Sequence, residues 1–260
     1  MKKGYAAFCF AAAMAAAGAG CISAKSPEAG DTMFLPLPGG EKIEMVYVAP
    51  GTFRAGGTDG YEWEGPVHEV TITKGFWLGK YEVTQKQWES LMGSNPSQFK
   101  GGDRPVETVS WNDCTAFAEK LAGELKAAGF DGIEPRLPTE AEWEYACRAG
   151  ADGSGRENLG ESAWFGERDG STRPVGGKRP NAWGFYDMQG NVWEWCSDWQ
   201  GDYAAEALVD PKGPESGEFR MTRGGSWFDG EILCSRSSRA GYYARNKNCY
   251  LGFRICAGTR

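Results

Sequence analysis

The stretch PNAWGFYDMQGNVWEWCSDW, residues 180–199, decides how this chain can fold. It mixes glycine, asparagine and aspartate with Trp183, Trp193, Trp195 and Trp199, carries no helical period, and sets short apolar pairs between turn residues. Such a stretch suits a domain with much irregular but packed backbone, in which large aromatic surfaces replace regular elements as core filler. Its acids point to a bound ion. Asp187 and Glu194 can offer carboxylate oxygen, while Gly190 and Val192 can turn main-chain carbonyls toward the same point. An all-oxygen set of this kind suits calcium. The plainer reading is that both carboxylates bond to nearby backbone amides.

Upstream the pattern is more regular. Ile43 to Val48 followed by Pro50-Gly51 reads as a strand and turn, and Val67 to Thr73 and Phe76 to Leu78 read as further strands. Thr84 can cap a short helix through Leu91, stopped by Gly93. Ser110 with Asp113 makes an approximate capping box for a longer helix whose Cys114, Phe117, Ala118, Leu121 and Leu125 share one face, ended by Gly129. Thr139 with Glu142 repeats the box, and Pro138 fixes the entry to a helix that runs to about Arg148. Glu140 and Glu142 are placed to start that helix, and Arg136 can pair with either.

The chain opens on Lys2 and Lys3 and the Ala-rich run from Ala6 to Ala17, too short to remain as a membrane span, so residues 1–20 read as a signal peptide. Gly18-Ala19-Gly20-Cys21 resembles the lipobox of bacterial lipoproteins and makes Cys21 the candidate lipidation site; ordinary cleavage near Ala19 or Ala24 is the alternative. Residues 21–40, rich in proline, glycine and small polar groups, read as a tether, and 41–260 as one domain with order beginning near Ile43. The expected location is a membrane-anchored lipoprotein facing the periplasm or cell surface.

Setting aside Lys2 and Lys3 leaves 26 of the 28 basic residues against 35 acidic ones, with no basic run able to follow a phosphate backbone, so nucleic acid is excluded as a partner. His68 is the sole histidine. Multi-histidine metal centres are therefore excluded within one chain, and His68 in the alternating VHEVTIT has a structural role. Of the eight cysteines, Cys9 lies in the signal and Cys21 at the anchor, leaving Cys114, Cys147, Cys196, Cys234, Cys249 and Cys256 to pair in an oxidising compartment.

Seven stretches in fixed order carry a family resemblance: IEMVYVAPGTFRAGG (43–57), GFWLGKYEVTQKQW (75–88), RPVETVSWNDC (104–114), RLPTEAEWEYACRAG (136–150), the 180–199 stretch, RGGSW (223–227) and LGFR (251–254). Together they resemble the sulfatase-modifying factor, or formylglycine-generating enzyme, family from end to end of the mature domain. The resemblance implies an irregular α+β fold related to C-type lectins, with little regular secondary structure. It also implies a calcium site at the positions matching Asp187, Gly190, Val192 and Glu194. Two disulfides are implied as well, Cys196 with Cys234 and Cys147 with Cys256, which would leave Cys114 and Cys249 by elimination.

Fold alone does not fix activity. Ergothioneine sulfoxide synthases of this fold hold iron with three histidines, which this chain lacks. The formylglycine-generating enzymes oxidise a sulfatase cysteine with oxygen and a cuprous ion gripped by two thiolates, two and seven residues after the aromatic of the Gly-Gly-Ser-aromatic motif. Here those positions are Asp229 and Cys234. A carboxylate offers hard oxygen where soft sulfur is required, so copper is not expected. Residues 228–250 lack a clear period and hold Phe228, Asp229, Arg236, Arg239, Tyr242, Tyr243, Arg245 and Asn246. Arginine and tyrosine anchor interfaces, and lectin-like relatives carry their ligand surface in the corresponding segment. The reading is a surface-tethered, calcium-stabilised binding module of unknown ligand. The alternative is a formylglycine-generating oxidase that uses Cys234 as its catalytic residue, with Cys249 as the only loose candidate for a second thiol.

Overall fold

The computed structural model describes residues 26–167 and 170–259. The signal segment and Cys21 lie outside the described residues. Within them, twelve strands and four α-helices follow in the order β1 (Thr32–Pro36), β2 (Lys42–Val48), β3 (Gly51–Ala55), β4 (His68–Ile72), β5 (Phe76–Gly79), α1 (Gln85–Met92), α2 (Trp111–Ala127), β6 (Ile133–Arg136), α3 (Glu140–Arg148), α4 (Leu159–Ser162), β7 (Trp193–Trp199), β8 (Leu208–Val209), β9 (Phe219–Arg223), β10 (Arg239–Tyr243), β11 (Leu251–Gly252) and β12 (Cys256–Thr259). The mixture is α+β, as the resemblance implies.

Order begins earlier than the composition of residues 21–40 suggests. β1 pairs antiparallel with β2, Leu35 opposite Ile43, and Leu35 is fully buried. The correction has a simple cause: the apolar residues of MFLPL find a partner strand across a three-residue 3-10 turn at Pro38–Gly40, and a paired strand no longer behaves as a tether.

Three sheets build the body. The largest has the order β1-β2-β5-β12-β6, so the C-terminal strand lies between β5 and β6; a second runs β10-β9-β7-β11 and a third β3-β4-β8. The three expected helices form where their caps stand. Thr84, Ser110 and Thr139 each close a reciprocal box with Gln87, Asp113 and Glu142, and Gly93 ends α1 in the left-handed region at φ 82°. α2 buries Cys114, Phe117, Ala118, Leu121 and Leu125, the face its spacing marks.

Two large apolar cores result, beside a small cluster of Leu159, Ala163 and Cys234. One joins α1 and α2 to Phe253, with Trp88 stacked on Phe117 at 5.4 Å. The other surrounds α3, which packs against β3, β4, β7 and β9, so that all nine of its residues are buried. Trp143 and Trp195 are wholly enclosed, which is the use of tryptophan that the 180–199 stretch suggests. His68 is buried on β4, its Nδ1 3.0 Å from the Pro66 carbonyl and its ring edge-on to Tyr203, a structural placement.

Candidate functional site

The Arg223-Gly-Gly-Ser-Trp turn positions the first group of candidate residues. Gly224 and Gly225 have φ of 100° and 73°, and a Cβ on Gly225 would come within 2.6 Å of the Cys234 sulfur, so the turn requires glycine twice over. Beyond it the Asp229 amide bonds back to the Ser226 carbonyl at 3.1 Å. Asp229 Oδ2 then accepts from Trp193 Nε1 at 2.8 Å and Ser226 Oγ at 2.5 Å. The carboxylate is thus held by donors, where the resemblance puts a thiolate. Cys234 is fully buried, with its Sγ 3.7 Å from the Ser226 carbonyl as a weak donor. Burial first, and then the nearby Asp229 charge, push its thiol well above the usual range, so it stays protonated at neutral pH.

Around this turn the surface is aromatic. Phe228 is 48% exposed and lies across Trp227, which meets Phe99 edge-on at 5.3 Å and donates to the Cys249 carbonyl. Tyr242 and Tyr243, successive on β10, point to opposite sides of the strand. Tyr242 packs by Trp195 and Tyr250 and is raised by burial, by Tyr250 and by Asp229, which places it on the Asp229 side. Tyr243 lies against Phe219 with Arg245 over its ring, and the Asn246 amide bonds to the Tyr243 carbonyl.

The segment therefore splits. Asp229 follows Phe228 directly and acts electrostatically on Tyr242, whereas Tyr243, Arg245 and Asn246 form a separate surface. Arg236 reaches away to the Asp152 carbonyl. Arg239 is a correction: it is buried, its guanidinium forked onto Glu140 at 2.7 and 2.6 Å, and it has no surface to offer a ligand there.

The second group lies at Asp187–Glu194. Glu194 and Arg254 are both 0% exposed and form a fork, Nε to Oε2 and Nη2 to Oε1, each at 2.6 Å, with Trp143 Nε1 adding a bond to Oε2 at 2.7 Å. A carboxylate accepts about four hydrogen bonds, so Oε1 keeps one lone pair. Asp187, at a left-handed φ of 53°, accepts from the Gly176 amide through Oδ2, while its buried Oδ1 has no partner. Burial is the main cause that pushes this carboxyl up to about 6, with the Glu194 charge adding to it. Glu82, also buried, accepts from Asn191 Nδ2 and the Val192 amide and is raised by burial, Asp187 and Glu194.

Among the described residues no three His, Cys, Asp or Glu side chains are set to hold a metal together. An ion here must rely on Asp187 Oδ1, the spare lone pair of Glu194 and main-chain carbonyls such as those of Gly190 and Val192. That is a set of hard oxygens, and it fits calcium.

The cysteines correct a further expectation. All six in the described residues are free thiols. Cys196 lies in the core around α3 while Cys234 packs with Leu159 and Ala163 in a separate cluster, so that pair is kept apart. Cys147 and Cys256 share a core, yet their sulfurs turn to the Met188 carbonyl and the Glu142 carboxyl respectively.

Several residues that shape these sites went unread in the sequence. Glu82, Asn191 and Arg254 surround Asp187 and Glu194, and Trp193 holds Asp229. The available signal was a charged residue inside an apolar motif: Glu82 in KYEVT and Arg254 in LGFRIC, where only a paired charge can be buried.

The family described as the sulfatase-modifying factor enzyme 1-like domain matches residues 34–258. The chain is 34% identical to the formylglycine-generating enzyme of Thermomonospora curvata, over 82% of this chain and 70% of that protein. It is 36% identical to chaperone protein LppX of Paenibacillus barcinonensis, over 61% of this chain and 71% of that one. Among solved structures, Treponema denticola variable protein 1 superposes with a TM-score of 0.77 at 32% identity, covering 84% of this chain and 96% of that chain. PvdO from Pseudomonas aeruginosa gives 0.74 at 27%, covering 89% and 99%.

Proposed function

The chain belongs to the sulfatase-modifying factor family, and on that premise we propose that it is a non-catalytic member: an exported binding module, tethered through lipidated Cys21 and stabilised by calcium at Asp187 and Glu194. The observation that carries the reading is Asp229. A cuprous ion between two sulfurs needs two thiolates. At one position stands a carboxylate fixed by Trp193 and Ser226, and at the other a buried, protonated thiol. One sulfur therefore stands where two are needed, and binding there would have to displace its proton.

What remains at that place is the exposed Phe228, packed on Trp227, suited to a ligand that buries apolar area. Calcium would hold the 187–194 turn under this surface and supply the charge that offsets its buried carboxylates. The similarity to the bacterial formylglycine-generating enzyme agrees with an enzymatic role; the residues at 229 and 234 favour the binding one.

The deciding experiment incubates the full chain with cuprous ion, oxygen and a sulfatase-type cysteine peptide, followed by mass spectrometry. No formylglycine is expected. Copper-dependent product that disappears in Cys234→Ala would falsify the binding reading and leave the oxidase. The anchor is checked separately, by fatty-acid labelling of cells expressing the wild type and Cys21→Ser; equal labelling of both removes it.

A further inference from the structure

Asp198, near the end of β7, has no role in the sites above. It is 4% exposed and stands at the start of α3, beside Glu140 and Glu142 of that helix's three glutamates. Each glutamate has its cation: Glu140 pairs with Arg239 at 2.6 Å, Glu142 with Arg136 at 2.7 Å, and Glu144 with both Arg148 and Arg223 at 2.6 Å. Asp198 makes no ion pair among the described residues. Its Oδ2 accepts from the Glu140 amide and Ser197 Oγ, both at 2.9 Å. Oδ1 accepts from no described group and lies toward Gly213, 3.6 Å from where a Cβ on that residue would stand.

Asp198 and Gly213 both line a cavity of about 390 Å³. Its walls are largely apolar, with Val70, Leu208, Pro211, Pro214 and Trp199, and the exposed Lys212 stands at the rim. Arg136 and Arg220 act on Asp198 only from beyond ion-pair distance, and a buried carboxylate without a directly paired cation is costly. Burial, followed by the Glu140 charge, accordingly pushes Asp198 up to about 7.

We propose that this cavity binds a small organic ammonium ion, with Asp198 Oδ1 as its counter-ion and the apolar walls around its carbon chain. The lining does not favour an anionic guest: Arg239 directs Nε and Nη2 to Glu140 and Nη1 to the Gly201 carbonyl, Lys212 is exposed to solvent, and Glu140, Glu144 and Asp202 line the same cavity. An ammonium group brings both the missing charge and a donor for the unpartnered oxygen. A neutral alcohol brings only the donor, and a carboxylate is repelled. The site includes none of Phe228, Asp229 and Tyr242, so it stands or falls separately from the reading above.

The test titrates n-butylammonium, n-butanol and butyrate into the full chain, followed by calorimetry and NMR. Saturable binding is expected for the ammonium ion alone. Asp198→Asn should weaken it by at least about tenfold, the scale of one lost charged contact. Because Asp198 also accepts the first amide of α3, Leu208→Trp is the second variant: it fills the cavity and leaves the carboxylate in place, and it too should weaken binding. Melting curves identify which variants are folded, and Leu208→Trp decides alone if Asp198→Asn does not fold. The idea is overturned if the wild type shows no saturable binding, if butanol binds as well as the ammonium, or if a folded variant keeps the wild-type affinity.

Discussion

Arg254 shows what a single residue does here. Its guanidinium forks onto Glu194 and also donates to the Gly79 and Tyr186 carbonyls, so it ties β5, the turn before β7 and the C-terminal segment together. Replacing it with methionine keeps the bulk but leaves a carboxylate at 0% exposure with Trp143 as its remaining donor. Breaking a buried pair from one side costs about 3–5 kcal/mol, and urea unfolding of Arg254→Met should show a loss of that order. Arg254→Lys should recover only part of it, since an ammonium cannot reproduce the planar fork. At this scale the sequence was legible where position is counted along the chain. Asp229 follows from its distance to Trp227, and the mismatch of oxygen for sulfur is readable in the letters alone. Partners far away in sequence were not. Arg239 reads as an interface residue by type, but Glu140, which buries it, stands 99 residues earlier.

Elements were legible in proportion to how locally they are stabilised. α1, α2 and α3 carry their own caps and periods, and each begins at the residue after its capping Ser or Thr. β8 and β11 are two-residue strands in parallel pairs with β4 and β7, held by tertiary contact alone, and no local pattern announces them. α3 also shows how an element uses its charges, since Asp198 accepts its first amide while lying next to Glu140. The folded-state value of Asp198, about 7, lies above its ordinary 3.8, so the folded protein binds the proton more tightly than the unfolded chain. The stabilisation from that proton is complete below about pH 4 and is lost as pH rises through 7. Asp198→Asn keeps an oxygen for the helix amide and cannot ionise. It should therefore be more stable than the wild type at pH 8, by one to a few kcal/mol at roughly 1.4 kcal/mol for each tenfold difference in proton affinity between folded and unfolded chain, with the gap closing toward pH 4. Equal denaturation midpoints of the two proteins across that range would show that Asp198 is not strained by its charge.

At the scale of the whole molecule, the segments that meet around Asp187 come from every part of the chain: Glu82 before α1, Asn191 and Glu194 at the start of β7, and Arg254 near the C-terminus. Regular elements supply only part of this body, and the irregular 180–199 stretch joins the sheets through side chains. Its aromatic and turn content was readable, whereas the path of its backbone was not, because positive φ at Asp187 and Asn191 is set by contacts rather than by local pattern. Three buried carboxylates, Glu82, Asp187 and Glu194, lie within electrostatic reach of one another, with Arg254 the wholly buried cation that acts on all three. Like charges out of water repel strongly, and Asp187 Oδ1 is left with no donor. A calcium ion would answer both deficits at once, and since its ligands exist only in the folded state it would stabilise the fold by mass action. At a free concentration about 100 times the dissociation constant the gain is about 2.7 kcal/mol. For a domain of this size that corresponds to a melting temperature roughly 5–10 °C higher. Scanning calorimetry of the mature domain in calcium and then in chelator should show a drop of that size, and magnesium, which insists on tighter octahedral geometry, should restore less of it than calcium. Asp187→Ala removes the open oxygen and one of the repelling charges together, so its melting should be indifferent to chelator while its fold persists. If the wild type itself melts at one temperature with and without calcium, the three carboxylates are being held by protons and hydrogen bonds alone, and the ion has no place in the molecule.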